Sequence, residues 1–146
     1  MNVTQPFVEI TSARLAENYL ALWNEPDADR RRQLIAELWV ADGRHILQPP
    51  QEVREMAAQP GIGMSAIFVA EGYAAIGARA TSVYEHWVRS EGFVFRGRDD
   101  ADRLGDVVKL HWEAVAADGT VFAVGLSFLV LAGDGRIERD YTFLVG

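Results

Sequence analysis

A chain of 146 residues has the length of one domain, taken as residues 1–146, and is long enough to bury a core without disulfides or metal staples. It holds no cysteine, which excludes disulfides and thiolate metal sites and fits a reducing, cytoplasmic setting. Its formal charge of −7 argues against a nucleic-acid or anionic-membrane surface, since both need a basic footprint, and is an ordinary solubility margin.

Met1 to Pro6 carries neither a basic patch nor a long apolar run, so no signal peptide is expected, and no apolar stretch is long enough to span a bilayer. Pro6 to Trp23 reads as a first helix, with Leu15, Tyr19, Leu22 and Trp23 on one face. Pro26 suits the first turn of a second helix, where Asp27 and Asp29 meet the positive end of the dipole. Its buried stripe is Leu34, Ile35, Leu38 and Trp39, and Arg30, Arg31 and Arg32 read as a solvated face. Asp42-Gly43 reads as a turn before a short strand, Arg44 to Pro49, stopped by Pro49-Pro50. Gln51 to Gln59 reads as a short helix ended by Pro60-Gly61, and Ser65 to Ala70 as an edge strand. Gly72 opens a further helix whose stripe is Tyr73, Ile76, Ala80, Val83, Tyr84 and Trp87, ending at Glu91-Gly92. Arg79, Ser82, His86 and Arg89 fall on its polar face. Phe93 to Arg96 is a strand, and Gly97 to Arg103 a mixed-charge loop.

Three strands then follow: Leu104–Ala117, Thr120–Leu131 and Arg136–Leu144, joined by Asp118-Gly119 and Gly133-Asp134-Gly135. Asp-Gly between apolar runs is a strong hairpin signal, because tight turns that match strand twist need positive φ. Helices segregated from antiparallel strands predict an α+β fold, a curved antiparallel sheet wrapped around the N-terminal helices with a cavity between them.

The run Tyr19-Leu20-Ala21-Leu22-Trp23-Asn24-Glu25-Pro26-Asp27, followed by Leu38-Trp39 and Asp42, resembles the opening of nuclear transport factor two-like domains, the SnoaL-like branch most of all. Gly135-Arg136-Ile137 and Asp140-Tyr141-Thr142-Phe143 resemble that family's last hairpin. The resemblance implies an α+β cone of the cystatin-like kind with an internal pocket, often dimeric. It does not imply one activity, because the family spans isomerases, cyclases, dehydratases, epoxide hydrolases and non-catalytic binding modules.

The isomerase branch is similar to this chain at Tyr19, its oxyanion-donating tyrosine. Its general base is an aspartate just before a proline on the first strand, and here Gln48 precedes Pro49. An amide cannot accept that proton at neutral pH. The SnoaL-like cyclases have an acid–base aspartate where this chain has Ser127, and serine without a neighbouring base does not do that work. The cavity is therefore expected to lack a carboxylate and to be lined by Tyr19, Trp23, Gln48, Trp112, Ser127, Tyr141 and Phe143, residues that simple core packing would also explain.

His45 is the best remaining acid–base candidate, working with Tyr19. Strict alternation sets it on the opposite face from Gln48. His86 reads as a surface residue, and His111 lies across the sheet from the row Val108, Leu110, Trp112. There is no metal-ligand spacing, phosphate cradle or nucleophile elbow, so neither metal nor other cofactor is expected.

If Ser127 faces inward, Phe122, Val124, Leu126, Phe128 and Val130 face outward, and a row of large apolar side chains predicts a sheet-to-sheet homodimer. Three functions are carried forward: binding of a small hydrophobic molecule in an internal pocket, acid–base catalysis by His45 and Tyr19 in an isomerase, cyclase or dehydratase manner, and a purely structural dimerisation module.

Overall fold

The computed structural model describes residues 10–59 and 67–145. Helix α1 spans Ser12–Asn24 and is capped by Thr11, whose hydroxyl accepts from the Arg14 amide at 3.1 Å. The expected start at Pro6, the Pro60-Gly61 stop and the first residues of the strand from Ser65 lie outside the described residues. Helix α2 spans Ala28–Leu38. Its cap is Asp27, whose Oδ1 accepts from the amides of Asp29 and Arg30 at 2.8 and 3.1 Å. The short α3, Gln51–Ala57, buries none of its residues. Helix α4, Gly72–Val83, opens at a sharp strand-to-helix junction where Gly72 takes a φ of 85°. It runs on as a π-helical segment over Tyr84–Arg89.

Among the described residues seven strands make one sheet: β1 Trp39–Leu47, β2 Phe68–Glu71, β3 Val94–Gly97, β4 Asp102–Leu104, β5 Val107–Val115, β6 Val121–Leu131 and β7 Ile137–Val145. Their order is β2-β1-β7-β6-β5-β3, with β4 also on β5. The β5–β6–β7 meander forms as read, and Gly119 and Gly135 supply the positive φ of its turns. The sheet is mixed, not wholly antiparallel, because β1 returns parallel to β7. Leu104 belongs to β4, set off from β5 by a turn at Gly105 with φ 60°.

Two corrections concern the first half of the chain. Asp42-Gly43 is not a turn before the strand but an irregularity inside it: β1 begins at Trp39, and its pairing with β7 shifts between Trp39 and Arg44. A Cβ at Gly43 would strike the Trp39 indole, which is why this irregularity holds a glycine. Arg31 is buried, not solvated. Its Nη1 donates to the carbonyls of Glu25 and Pro26 at 2.7 and 3.1 Å, and its guanidinium lies over the Tyr84 ring.

The core unites α1, α2 and α4 with the inner face of the sheet through Leu15, Tyr19, Leu22, Leu34, Ile35, Trp39, Ile76, Leu110, Leu129 and Ile137. Truncating any of the fully buried Leu or Ile residues to Ala is worth roughly 2–5 kcal/mol. On the outer face Val124, Leu126, Phe128 and Val130 lie together as read, half-buried within one subunit. Phe122 leaves that row. The β5–β6 register shifts between Ala114 and Val115, and its ring packs against Phe93 and Trp87, at 4.9 and 5.7 Å between centroids. Among the described residues no helix is long and apolar enough to cross a membrane.

Candidate functional site

Between the helices and the concave sheet lies a cavity of about 770 Å³. Its walls are aromatic and aliphatic: Trp23 from α1, Val83 and Trp87 from α4 and its extension, Phe95, Trp112 and Leu144 from the sheet. Four polar residues join them, Tyr19, His45, Arg79 and Thr142, with Gln51, Glu52 and Glu55 of α3 on one side.

Behind this wall stands a residue that the sequence reading did not place there. Asp140 is fully buried on β7. The Tyr19 hydroxyl donates to its Oδ2 at 2.5 Å, and the Thr142 hydroxyl donates to its Oδ1 at 2.7 Å. His45 Nε2 lies 3.5 Å from Oδ2. Ser127, also buried, bonds Thr142 at 2.8 Å, accepts from the Trp112 indole N–H at 3.1 Å and lies 3.2 Å from the Tyr19 hydroxyl oxygen. One set of directions satisfies every group. Trp112 donates to Ser127, Ser127 to Thr142, and Thr142 and Tyr19 to Asp140, so the polar network converges on a single carboxyl.

The strand registers explain the convergence. His45 is the Cα partner of Asp140 across the parallel β1–β7 pair, and Ser127 is the partner of Thr142 across β6–β7, so all four share the inner face. The β6–β7 hairpin begins with Leu131 opposite Ile137 and then shifts, so that Val130 faces Arg139. Glu138 is the extra residue. A shift of one residue exchanges the faces of everything beyond it. Tyr141 and Phe143, expected in the cavity, are therefore on the outer face: Phe143 packs edge-on to Phe128 at 5.8 Å, and the Tyr141 hydroxyl accepts from Arg139 at 3.1 Å. Gln48 is absent from the cavity wall as well. It falls on the opposite side from His45, and its Oε1 accepts from the Leu144 amide at 3.1 Å.

Of the other expected residues, Tyr19, Trp23, Trp112 and His45 line the cavity, and Ser127 lies beneath it. His86 is exposed, and His111 sits on the other sheet face, its Nδ1 2.6 Å from Asp100 Oδ2. Arg79 does not belong to a solvated helix face. It is half-buried in the cavity wall, and its Nη1 donates to His45 Nδ1 at 3.0 Å, to the His45 carbonyl at 2.9 Å and to the Phe68 carbonyl at 3.3 Å.

These contacts fix the protonation chemistry. A guanidinium only donates, so His45 Nδ1 is an acceptor and its proton rests on Nε2, toward Asp140. Burial and then the Arg79 charge push the His45 pKa down to about 3, so the ring is neutral at working pH. Burial pushes Asp140 up to about 7, against the opposing pull of its two hydroxyl donors and Arg79. Burial, with the adjacent Asp140, holds the Tyr19 phenol well above its ordinary 10. Among the described residues no cluster of three metal-ligating side chains occurs.

No family model matches the sequence, and no curated protein matches it significantly. Solved structures do. A SnoaL-like family protein from Agrobacterium tumefaciens, provisionally named an isomerase, is 26% identical over 90% of this chain and 95% of its own, with a TM-score of 0.71. A SnoaL-like protein of unknown function from Burkholderia thailandensis is 15% identical over 99% and 100%, with a TM-score of 0.63. A SnoaL-like protein from Jannaschia, provisionally named a polyketide cyclase, is 17% identical over 89% and 84%, with a TM-score of 0.59. The last two are likenesses of fold alone. Together with the cavity and the order of elements, these likenesses give the chain the fold of the SnoaL-like, nuclear transport factor two-like proteins.

Proposed function

We propose that this protein binds a small, mostly apolar molecule in the cavity and moves a proton on it, with Asp140 as the proton reservoir. The observation that carries this reading is the 2.5 Å bond between the Tyr19 hydroxyl and a carboxyl buried behind the cavity wall. A volume of about 770 Å³ with aromatic walls and a few polar groups on one side suits a compact ligand with one oxygen function. An acid that titrates near 7 is matched to proton transfer at neutral pH, where both of its forms are populated.

Tyr19 serves as the relay. When Asp140 is protonated the bond turns round: Asp140 passes its proton to the phenol oxygen while the phenol proton, freed from Oδ2, passes to a substrate oxygen, and the reverse motion returns it. The phenol is never left ionised, which its raised pKa forbids. His45, neutral and with Nδ1 occupied, acts as a donor through Nε2–H, not as the general base. The reaction class is keto–enol proton transfer on a small apolar carbonyl compound: the carbonyl oxygen gains the Tyr19 proton, Asp140 restores that proton to the phenol, and the α-hydrogen leaves as a proton to a carboxylate on the cavity border, Glu52 or Glu55.

The test uses 2-tetralone as the probe. Quenching of Trp23, Trp87 and Trp112 fluorescence measures binding, and proton NMR in deuterium oxide measures exchange of its α-hydrogens. The reading expects binding together with exchange accelerated about 10²-fold or more, lost in Asp140→Asn while binding persists. Binding without acceleration would support the second reading, a binding module. That reading draws on the complete burial of Asp140, since a saturated network also makes a rigid floor. The half-buried outer-face row Val124, Leu126, Phe128, with Phe143 and Tyr141 beside it, supports assembly as a sheet-to-sheet homodimer.

A further inference from the structure

We infer that the ligand is an anion: a small aromatic or alicyclic carboxylate whose charged group is received by Arg79. This assignment deepens the proposed function and rests on the cavity being a ligand site. Arg79 lines the cavity from α4 and uses a single nitrogen, Nη1, for all three of its protein hydrogen bonds. Those three contacts anchor the head group against β1 and β2. Among the described residues Nη2 and Nε have no hydrogen-bond partner, so two donors of a rigid planar fork remain beside an apolar chamber.

The described arginines that meet a carboxylate do so near the surface, as Arg44 does with Glu71 and Arg136 with Asp134. Arg79 has no carboxylate within ion-pair distance among the described residues. Its charge acts on Asp140 with the neutral His45 ring set between them. A half-buried guanidinium with no carboxylate in contact in an aromatic cavity is costly unless an anion arrives. The chemistry that matches two in-plane N–H donors is a carboxylate, bound bidentately. Glu52 and Glu55 also border the cavity, but both are exposed on α3, where water screens them, and the Glu55 carboxylate already accepts from Gln51 at 2.8 Å. The other groups facing Arg79 are neutral His45 and, beyond it, Asp140, which is mostly protonated below pH 7.

The experiment compares 2-naphthoate with 2-naphthamide, near isosteres that differ in charge, by isothermal titration calorimetry on the wild-type chain at a pH about one unit below 7. The expected result is at least tenfold tighter binding of the naphthoate. In Arg79→Gln the two ligands should bind within about twofold of each other, and Arg79→Lys should keep part of the preference. Equal or tighter binding of the naphthamide to the wild type overturns the anion assignment and leaves the cavity reading standing. Failure of both ligands to bind at millimolar concentration overturns the two together. The wild-type comparison decides the matter even if a variant at Arg79 does not fold.

Discussion

The Tyr19 hydroxyl and the Asp140 carboxylate, 121 positions apart in the chain, meet at 2.5 Å with both groups buried. One comes from the first helix and the other from the last strand, so the bond closes the cone across its interior. It also ties the fold to the chemistry, because the partner of the phenol is the group whose proton is proposed to move.

Tyr19→Phe removes one of the two hydroxyl donors to Asp140 without changing the ring. Leaving a buried carboxyl short of a donor costs about 1–3 kcal/mol. The loss should be larger above pH 7, where the carboxylate is charged, than at pH 5, where the acid is neutral. Urea denaturation at the two pH values checks this, and an equal loss at both would mean that Asp140 is already ionised at pH 5.

Asp140 and His45 give stability opposite pH dependences. Asp140 titrates at about 7 folded against 3.8 unfolded, so the folded state holds the extra proton and this contribution falls as pH rises from about 4 to about 7. His45 titrates at about 3 folded against 6.5 unfolded, so the unfolded state holds the extra proton and this contribution grows as pH rises from about 3 to 6.5. Relative to wild type, stability should climb with pH through the shared window in Asp140→Asn and decline through it in His45→Gln. Denaturation midpoints across that window read the two slopes.

How much of this was legible follows from the same strands. The helices, the meander and its Asp-Gly turns rest on local periodicity and turn chemistry, and those signals are in the sequence. The faces of β7 depend on one inserted residue, Glu138, which breaks no pattern of hydrophobicity because Tyr141 and Phe143 are as apolar as inward residues. An unshifted hairpin would have put Ser127 opposite Tyr141 and sent Asp140 outward. The aspartate was visible in the chain, but its face was not. Arg79 was misjudged for a related reason: helical periodicity gives the direction of a side chain and says nothing of a long arginine reaching back to the carbonyls of β1 and β2.

Gly125→Ala tests the floor of the cavity from beneath. A Cβ there would fall inside the Trp112 indole, so the ring must move and its bond to Ser127 must break. Overpacking of this kind costs about 1–3 kcal/mol. Thermal unfolding should show that loss, and 2-tetralone binding should weaken, since Trp112 is part of the wall.

The outer face predicts a dimer at micromolar concentration in light scattering. Phe128→Glu, which sets a charge beside Phe143, should give a folded monomer. A wild-type monomer would remove the interface.

The most direct measurement is the titration of the Asp140 carboxyl carbon by carbon-13 NMR, assigned by its disappearance in Asp140→Asn. The account predicts a midpoint near 7, far from the bulk of the carboxylates. A midpoint in the ordinary range near 3.8 would contradict it, because the acid behind the cavity would then be a permanently charged structural group with no proton to give.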